Sequence, residues 1–99
     1  MISNMKARLV LRARDEVGDD AFTEYVIWQV PEPLRGSGHL FKYRIAYIED
    51  GVCVIRYDNE AGKGDHKHVG DLELAYTFRG LRQLFLDFDL DVEAWRRRT

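Results

Sequence analysis

Residues that can do chemistry crowd into one short segment, Arg56–His68, which reads RYDNEAGKGDHKH. The segment holds two histidines, three acids and three bases, with two glycines among them. It directly follows an apolar, strand-like run, and a loop that only reverses the chain does not need so many titratable groups. Because binding and catalytic groups collect on loops carried by a rigid scaffold, the sequence predicts a functional site in this segment.

One interpretation of the segment is a metal-free site for acid–base chemistry on RNA. Attack of a 2′-hydroxyl on the neighbouring phosphodiester needs a general base, a general acid and cations for the developing charge. Histidine titrates near neutrality and can serve as base or acid, while Gly62 and Gly64 would let the backbone approach a phosphate. The candidate catalytic residues are His66, His68, Lys63, Asp58 and Glu60. The candidate substrate-binding residues are Arg44, Arg56, Tyr57, Lys42 and Asp65.

A second interpretation of the segment is a metal site. Residues i and i+2 of a strand point to one face, so His66 and His68 have workable spacing for binding one ion. The ligand shell would be completed by Asp58, Glu60 or Asp65. The order Asp58, Glu60, Lys63 also resembles that of metal-dependent nucleases. The interpretation carried forward uses no metal and no other cofactor, and the metal site stays open as an alternative.

A third interpretation gives the segment no role beyond turning the chain. Its glycines would allow a tight loop, Asp58 and Asn59 would cap it through side-chain hydrogen bonds, and its lysines and acids would form solvated ion pairs. Outside the segment, His39 is predicted to be solvent-exposed or to donate a local hydrogen bond. Trp28 is a large apolar residue and is predicted to lie in the core.

The elements that must position these residues begin with strands. Met5–Arg14 places apolar residues on one face and basic residues on the other, which is the period of a half-buried strand. Phe22–Val30 is rich in β-branched and aromatic residues and ends at prolines, so it is predicted to form a second strand. Leu72–Phe78 alternates again and is predicted to form the last strand.

A hairpin is predicted in the middle of the chain. Phe41–Ile48 and Val52–Asp58 flank Asp50-Gly51, a dipeptide favoured in two-residue turns, and a turn that tight fixes the register. The predicted pairs include Ile48 with Cys53, Ala46 with Ile55, and Arg44 with Tyr57. Three residues then lie side by side on one face: Lys42, Arg44 and Tyr57. Three others lie together on the reverse face: Tyr43, Arg56 and Asp58.

The end of the chain is predicted to be helical. Apolar residues recur there at spacings of three and four, which form one stripe of a helix. They are Leu81, Leu84, Phe85, Phe88, Val92 and Trp95. The predicted fold class is α+β, an antiparallel sheet of four to five strands with a C-terminal amphipathic helix packed on one face, in a single domain over residues 1–99. Leu86 and Leu90 fall outside the stripe and are candidates either for packing on loops or for a contact with a second copy in a homodimer.

The composition limits the function classes. A formal net charge of −2 gives no global attraction to nucleic acid, so a nucleic-acid role must rest on a local basic patch. Arg8, Arg12 and Arg14 are predicted to project from one face of the first strand, where they would follow a phosphate backbone or dock an acidic partner. The single Cys53 lies in an apolar run and is predicted to be buried. With no disulfide, membrane span or signal peptide in view, a cytoplasmic location is predicted.

Several stretches resemble the TumE-type toxins of bacterial toxin–antitoxin systems. They are YVIWQVPEP, FKYRIAY, DGVCVIRYDNEAGKGDHKH and AYTFRGLRQLFLDF, within a resemblance that runs from about Lys6 to about Val92. The YDNE and GKGDHKH motifs are the most specific. The matching motif residues are Tyr57, Asp58, Asn59, Glu60, Gly62, Lys63, Gly64, Asp65, His66 and His68. Arg79-Gly80 departs from the polar residue that the family places before the helix.

The resemblance implies a small cytoplasmic toxin encoded beside a helix-turn-helix antitoxin that neutralises it by direct binding. Small toxins of this kind usually act on RNA, so the expected function is growth arrest by metal-independent RNA cleavage. Two alternatives stay open. One is a non-catalytic toxin that blocks a ribosomal or replication target, and the other is a metal-dependent nuclease.

Overall fold

The computed structural model describes residues 7–98, which form one antiparallel sheet and one helix. The strands follow each other in the sheet in chain order, without a crossover. The elements are β1 (Arg8–Gly18), β2 (Ala21–Gln29), β3 (Phe41–Glu49), β4 (Val52–Glu60), β5 (Gly64–Val69), β6 (Leu72–Ala75) and α1 (Leu81–Arg97). The predicted first strand began at Met5, and its first two residues lie outside the described part of the chain.

The α+β class and the C-terminal helix on one sheet face are confirmed, but the sheet has six strands rather than four to five. The additional strand is β5, which lies in the segment that was interpreted as a loop. Its two faces are both polar, with His66 and His68 on one and Asp65 and Lys67 on the other. A strand without an apolar face gives no hydrophobic alternation, so the pattern that reveals half-buried strands is missing.

The core lies between α1 and one face of the sheet, which we call the helix-covered face. The fully buried side chains there are Tyr47, Tyr57, Phe88, Ile27, Ile45, Ile55 and Leu84. The predicted apolar stripe of the helix supplies Leu84 and Phe88 to this core. No element among residues 7–98 covers the other face, which we call the open face. Nor does the described part contain a helix with the length and apolar character that a membrane crossing requires.

A β-bulge corrects the predicted hairpin register. Ile48 opposes Cys53 as predicted, but the register shifts between Tyr47 and Ile48. Beyond the shift the pairs are Tyr47 with Ile55, Ala46 with Arg56, Ile45 with Tyr57, and Arg44 with Asp58. The predicted pairing of Arg44 with Tyr57 is therefore wrong. The bulge brings the large apolar side chains of both strands onto the helix-covered face, where burial stabilises them.

A second bulge lies in β1, between Leu9 and Leu11, and it changes the face on which the following residues lie. Arg12 follows the bulge and opposes Val26 on the open face. Arg8 precedes the bulge and opposes Gln29, which lies on the opposite face of β2 from Val26. The predicted single stripe of three arginines is therefore wrong.

Two side chains that were predicted to be buried are not. Trp28, predicted in the core, lies partly exposed on the open face opposite Leu9. Cys53, predicted to be buried, is exposed beside the β3–β4 turn. Both lie in strands whose apolar composition is similar on the two faces, so composition alone does not show which face is covered.

Candidate functional site

Four polar side chains form a cluster on the open face, where β4 and β5 lie side by side. Asp58 opposes His66 and Arg56 opposes His68 in the antiparallel register. Because alternate residues of a strand share one face, all four side chains project together. We call these four residues, with Lys63 and Glu73 described below, the histidine cluster.

His66 has a hydrogen-bond acceptor at each ring nitrogen. Its side chain is 7% exposed, and its Nε2 lies 2.8 Å from Asp58 Oδ1. Its Nδ1 lies 3.1 Å from the carbonyl oxygen of Gly64. A carbonyl and an ionised carboxylate only accept hydrogen bonds, so each favours an N–H on the ring nitrogen that faces it, although the Nε2 contact is a close approach of charges without an aligned hydrogen bond. The structure therefore presents His66 as a proton donor.

His68 faces the opposite situation. Its Nε2 lies 2.7 Å from Arg56 Nη2, and a guanidinium group only donates hydrogen bonds. This contact requires a lone pair on His68 Nε2. The two imidazole centroids are 5.3 Å apart. The pair thus combines one histidine that faces acceptors with one that faces a donor.

Three buried atoms in the cluster lack an aligned hydrogen bond. They are His66 Nε2, Asp58 Oδ1 and Arg56 Nε. Arg56 Nε lies 3.1 Å from Asp58 Oδ2, so the charges are close although the donor hydrogens do not point along the contacts. Buried polar atoms in proteins are normally hydrogen-bonded, and exceptions concentrate where a ligand or ion completes the site. The three atoms face side chains of the same cluster, so these contacts are held by charge rather than by aligned hydrogen bonds.

Glu73 and Lys63 complete the cluster. Glu73 Oε2 lies 3.3 Å from Lys63 Nζ, 3.5 Å from His68 Nε2 and 3.8 Å from His66 Nε2. The hydrogen bond from Lys63, helped by the positive charge of Lys63, holds the pKa of the Glu73 carboxyl below its ordinary value. Sequence reasoning missed Glu73 because it lies in β6. The usable signal was the pairing of β5 with β6, which places Glu73 opposite His68.

The cluster also has the geometry of a metal site. One ligand atom from each of Asp58, His66 and His68 lies within 4.8 Å of the others. Two histidines and one carboxylate form a known ligand set for divalent ions, and a metal-bound histidine commonly donates its other ring N–H to a carbonyl, as His66 does to Gly64. However, the Arg56 guanidinium already donates a hydrogen bond to the lone pair of His68 Nε2. An ion could use His68 Nε2 as a ligand only if Arg56 moved away.

Three other predicted site residues lie on or beside the open face. Arg44 opposes Asp58, and its guanidinium lies 4.0 Å from a carboxylate oxygen of Glu24. Lys42 opposes Trp28, two residues farther along β3. Glu60 is exposed at the end of β4, where its carbonyl accepts a hydrogen bond from the Lys63 amide at 3.0 Å. These residues surround the cluster without entering its ion pairs.

Tyr57 lies on the helix-covered face, away from the cluster. Its hydroxyl donates to the Asp91 carboxylate of α1, and Lys67 Nζ lies 3.0 Å from the same carboxylate. Burial, together with the hydrogen bond to Asp91 and its charge, raises the pKa of Tyr57 above its ordinary value. The predicted grouping of Tyr57 with Lys42 and Arg44 is therefore wrong, because the bulge in the hairpin turns Tyr57 under the helix.

Asp65 also lies on the helix-covered face. Its carboxylate accepts hydrogen bonds from Ser37 Oγ at 2.6 Å and Tyr43 OH at 2.7 Å, and lies 2.8 Å from His39 Nε2. The His39 ring stacks on Phe78 at 3.7 Å between centroids. His39, predicted to be exposed or locally hydrogen-bonded, is thus mostly buried and bonds to a distant carboxylate. Asp65 ties the loop before β3 to the sheet.

Gly64 allows that same loop to approach. Its φ is +77°, and a Cβ atom there would lie 2.6 Å from the carbonyl oxygen of Gly36. Only glycine fits so close an approach at a positive φ. The predicted use of Gly64, to let the backbone approach a phosphate, is not what this geometry requires.

Comparison with known proteins identifies a family. A family model described as Toxin TumE matches residues 3–96, which include every residue of the histidine cluster. No curated protein and no solved structure matches the chain. The family match confirms the resemblance seen in the sequence and extends it at both ends. A toxin family also implies an antitoxin partner in general. The chain therefore belongs to the TumE family of toxins.

Proposed function

We propose that this toxin arrests growth by cleaving RNA at the histidine cluster, without a metal ion or other cofactor, as a single domain over residues 1–99 in the cytoplasm. One observation carries the proposal. His66 faces two acceptors while His68 faces a donor, so the site offers an acid and a base at a centroid distance of 5.3 Å. Positioned pairs of this kind contribute rate factors of roughly 10² to 10⁴ for each proton transfer.

The proposed reaction uses the 2′-hydroxyl of the substrate as nucleophile. His68 accepts the hydroxyl proton, and the 2′-oxygen forms a bond to the phosphorus. The bond from phosphorus to the 5′-oxygen breaks, and His66 donates its Nε2 proton to that leaving oxygen. The products are a 2′,3′-cyclic phosphate and a 5′-hydroxyl. Arg56 turns from His68 to the phosphate, where it and Lys63 stabilise the added negative charge.

The remaining candidate residues have supporting roles in this proposal. Asp58 orients His66, and Arg44 and Lys42 bind the RNA backbone beside the reaction centre. Glu60 lies at the rim and orders the turn that carries Lys63. Tyr57 and Asp65 act through the fold on the helix-covered face, since neither side chain reaches the cluster.

Sequencing of RNA ends in cells after brief induction tests the proposal. His66→Asn keeps a donor for the Gly64 carbonyl, and His68→Gln keeps an acceptor for Arg56, but neither side chain transfers a proton near neutral pH. New ends are expected with the wild type and with Arg97→Gln, an exposed control on α1. Loss of the new ends is expected in both histidine variants. New ends that persist in two folded histidine variants would show that these imidazoles do not do the chemistry.

A metal-dependent nuclease is the second candidate, favoured by the convergence of Asp58, His66 and His68 within 4.8 Å. Arg56→Gln separates the two mechanisms. In the metal-free mechanism, the loss of the guanidinium lowers cleavage, and a chelator changes nothing. In the metal mechanism, the same variant frees His68 to bind the ion, so metal affinity rises, and a chelator abolishes cleavage of the wild type.

Two protein partners belong to the proposal. The family implies an antitoxin, and we propose that it is a helix-turn-helix protein encoded beside the toxin.

We also propose a homodimer through Leu86 and Leu90, which are 48% and 63% exposed on α1. Light scattering on the wild type and on Leu86→Glu tests the dimer, with Val52→Glu, an exposed apolar residue at the β3–β4 turn, as the matched control. A non-catalytic toxin that blocks a ribosomal or replication target would remain if all RNA stays intact while growth still stops.

A further inference from the structure

An indole lies among charged residues on the open face, outside the histidine cluster. Trp28 of β2 opposes Leu9 of β1 on one side and Lys42 of β3 on the other. Beside it is a depression of about 190 Å³, lined by Val26, Trp28, Lys42, Tyr43 and Arg44. No element among residues 7–98 packs over this part of the sheet. The core therefore does not account for the exposed part of the ring.

The depression is bordered by positive charge. Lys42 and Arg12 are exposed and form no ion pair within the described part of the chain. Arg12 opposes Val26, next to Trp28 on the same strand face. Arg44 has a single long contact, 4.0 Å from Glu24. An aromatic plane with unpaired cations around it matches a polyanion that carries flat bases.

The distance from Trp28 to the histidine cluster suits a strand of nucleotides. Trp28 opposes Lys42, Arg44 opposes Asp58, and Asp58 opposes His66, so one open face connects them. At roughly 4.8 Å between strands and roughly 3.4 Å per residue along a strand, Trp28 lies about 12 Å from Asp58 and about 16 Å from His66. A few nucleotides of extended RNA span this distance.

We propose that Trp28 is a stacking platform for one base of a single-stranded RNA substrate, with Lys42 and Arg44 holding the phosphates between that base and the scissile bond. The inference rests on the proposed RNA cleavage and adds the substrate class and its direction across the sheet, from β2 to β5. Single-stranded RNA is favoured over duplex because a base can lie flat on the indole only when it is unpaired.

The test uses RNA oligonucleotides in which one nucleotide at a time lacks its base but keeps its phosphate. Binding is measured with the His68→Gln variant, which holds RNA without cleaving it, alone and combined with Trp28→Leu. We expect one abasic position, a few nucleotides from the scissile bond, to weaken binding about 5- to 150-fold when Trp28 is present. The same position is expected to cost Trp28→Leu almost nothing, because the stacking partner is already absent. Trp28→Phe should keep part of the effect, and Val52→Ala, an exposed apolar control at the β3–β4 turn, should keep all of it.

The outcomes separate this inference from the proposed function. If the wild type cleaves RNA but the abasic effects are equal with and without Trp28, the stacking platform is wrong and the cleavage proposal stands. If RNA binds with the expected Trp28 dependence but is never cut, the platform stands and the catalytic proposal falls. Failure of the folded wild type to bind any RNA would overturn both and leave Trp28 as a contact for a protein partner.

Discussion

The proton on each histidine of the cluster is set by what its ring nitrogens face. The Asp58 carboxylate and the Gly64 carbonyl each favour an N–H on the His66 nitrogen that faces them, whereas the Arg56 guanidinium favours a lone pair on His68 Nε2. Two imidazoles of similar intrinsic chemistry thereby receive opposite roles. Asp58 has the central position among these contacts, since it meets both His66 and Arg56.

Replacing Asp58 by asparagine therefore tests the orientation of the acid. The amide keeps the size of the carboxylate but no longer favours a proton on His66 Nε2. We expect kcat to fall about 10- to 100-fold, the usual range for a group that orients a functional histidine, with a smaller change in KM. Steady-state cleavage of a short RNA measures it, with Glu93→Gln on the outer side of α1 as control. Unchanged kcat in Asp58→Asn would remove this residue from the mechanism.

Some residues of the site could be predicted from the sequence and others could not. The spacing of His66 and His68 was enough to place both on one face of a strand, and the structure brings them together with Arg56 and Asp58. Asp65 was grouped with them because its part of the segment was treated as a loop, in which any side chain can reach any other, and Tyr57 was grouped through a hairpin register that lacked the bulge. Once it is a strand, alternation sends odd and even residues to opposite faces.

At the scale of elements, the turn between β4 and β5 fixes the cluster through Gly64. Gly64→Ala would place a Cβ atom 2.6 Å from a backbone oxygen at a φ of +77°. Gly51→Ala is a matched control, with a φ of +79° and no atom within 4 Å of the added Cβ. We expect both to destabilise by about 1 kcal/mol or more for the backbone, and Gly64→Ala by about 1–3 kcal/mol beyond that for the clash. Urea unfolding of both variants measures the difference, and equal losses would mean that the loop can shift.

The tyrosines under the helix make the contact between sheet and helix pH-dependent. Burial, with hydrogen bonds to Asp65, Asp91 and Asp87, raises the pKa of Tyr43, Tyr57 and Tyr76 above the ordinary value. A raised folded-state pKa favours the neutral phenol, so its contribution to stability is complete below the unfolded pKa of about 10 and is lost as pH rises toward the folded value.

An alkaline titration tests this sign. Tyrosinate absorbance and far-ultraviolet circular dichroism are followed together as pH is raised. We expect these three phenols to ionise only in the step that unfolds the chain, and Tyr57→Phe to ionise one phenol fewer in that step. Gradual ionisation of all five tyrosines near pH 10, with the fold intact, would contradict the buried network.

The bulges mark the limit of what the strands' sequences reveal. The Asp50-Gly51 turn and its flanking strands were enough to predict the hairpin. Apolar spacings of three and four were enough to predict the buried stripe of α1. They did not reveal the shift between Tyr47 and Ile48, because a bulge depends on which register buries more apolar surface under the helix. The face on which Arg56 and Tyr57 lie follows from that tertiary packing and not from the local pattern.

At the scale of the whole molecule, one face of the sheet carries the core and the other carries the proposed functional site. The apolar core lies with α1 on one face, and the histidine cluster and Trp28 lie on the other. With a net charge of −2, the proposed attraction to RNA must rest on local cations, which we place on the open face.

Removing one open-face cation should therefore change binding without changing stability. We expect Lys42→Gln to lower the slope of log binding constant against log salt by about 0.7, the value for one phosphate contact to a single strand. The melting temperature should stay close to that of the wild type, because Lys42 is exposed. Filter binding at several salt concentrations measures the slope, with Arg82→Gln on α1 as the matched loss of charge. An equal slope in wild type and Lys42→Gln would show that the RNA does not cross β3 there.

The chemistry of the cut ends is the most direct test of the account as a whole. Purified toxin is incubated with a single-stranded RNA in the presence of a chelator, and the termini of the products are identified by mass spectrometry. Acid–base catalysis by His66 and His68 predicts a 2′,3′-cyclic phosphate and a 5′-hydroxyl, and no cleavage where the scissile nucleotide lacks its 2′-hydroxyl. Products with a 5′-phosphate, or cleavage at a 2′-deoxy position, would contradict the mechanism.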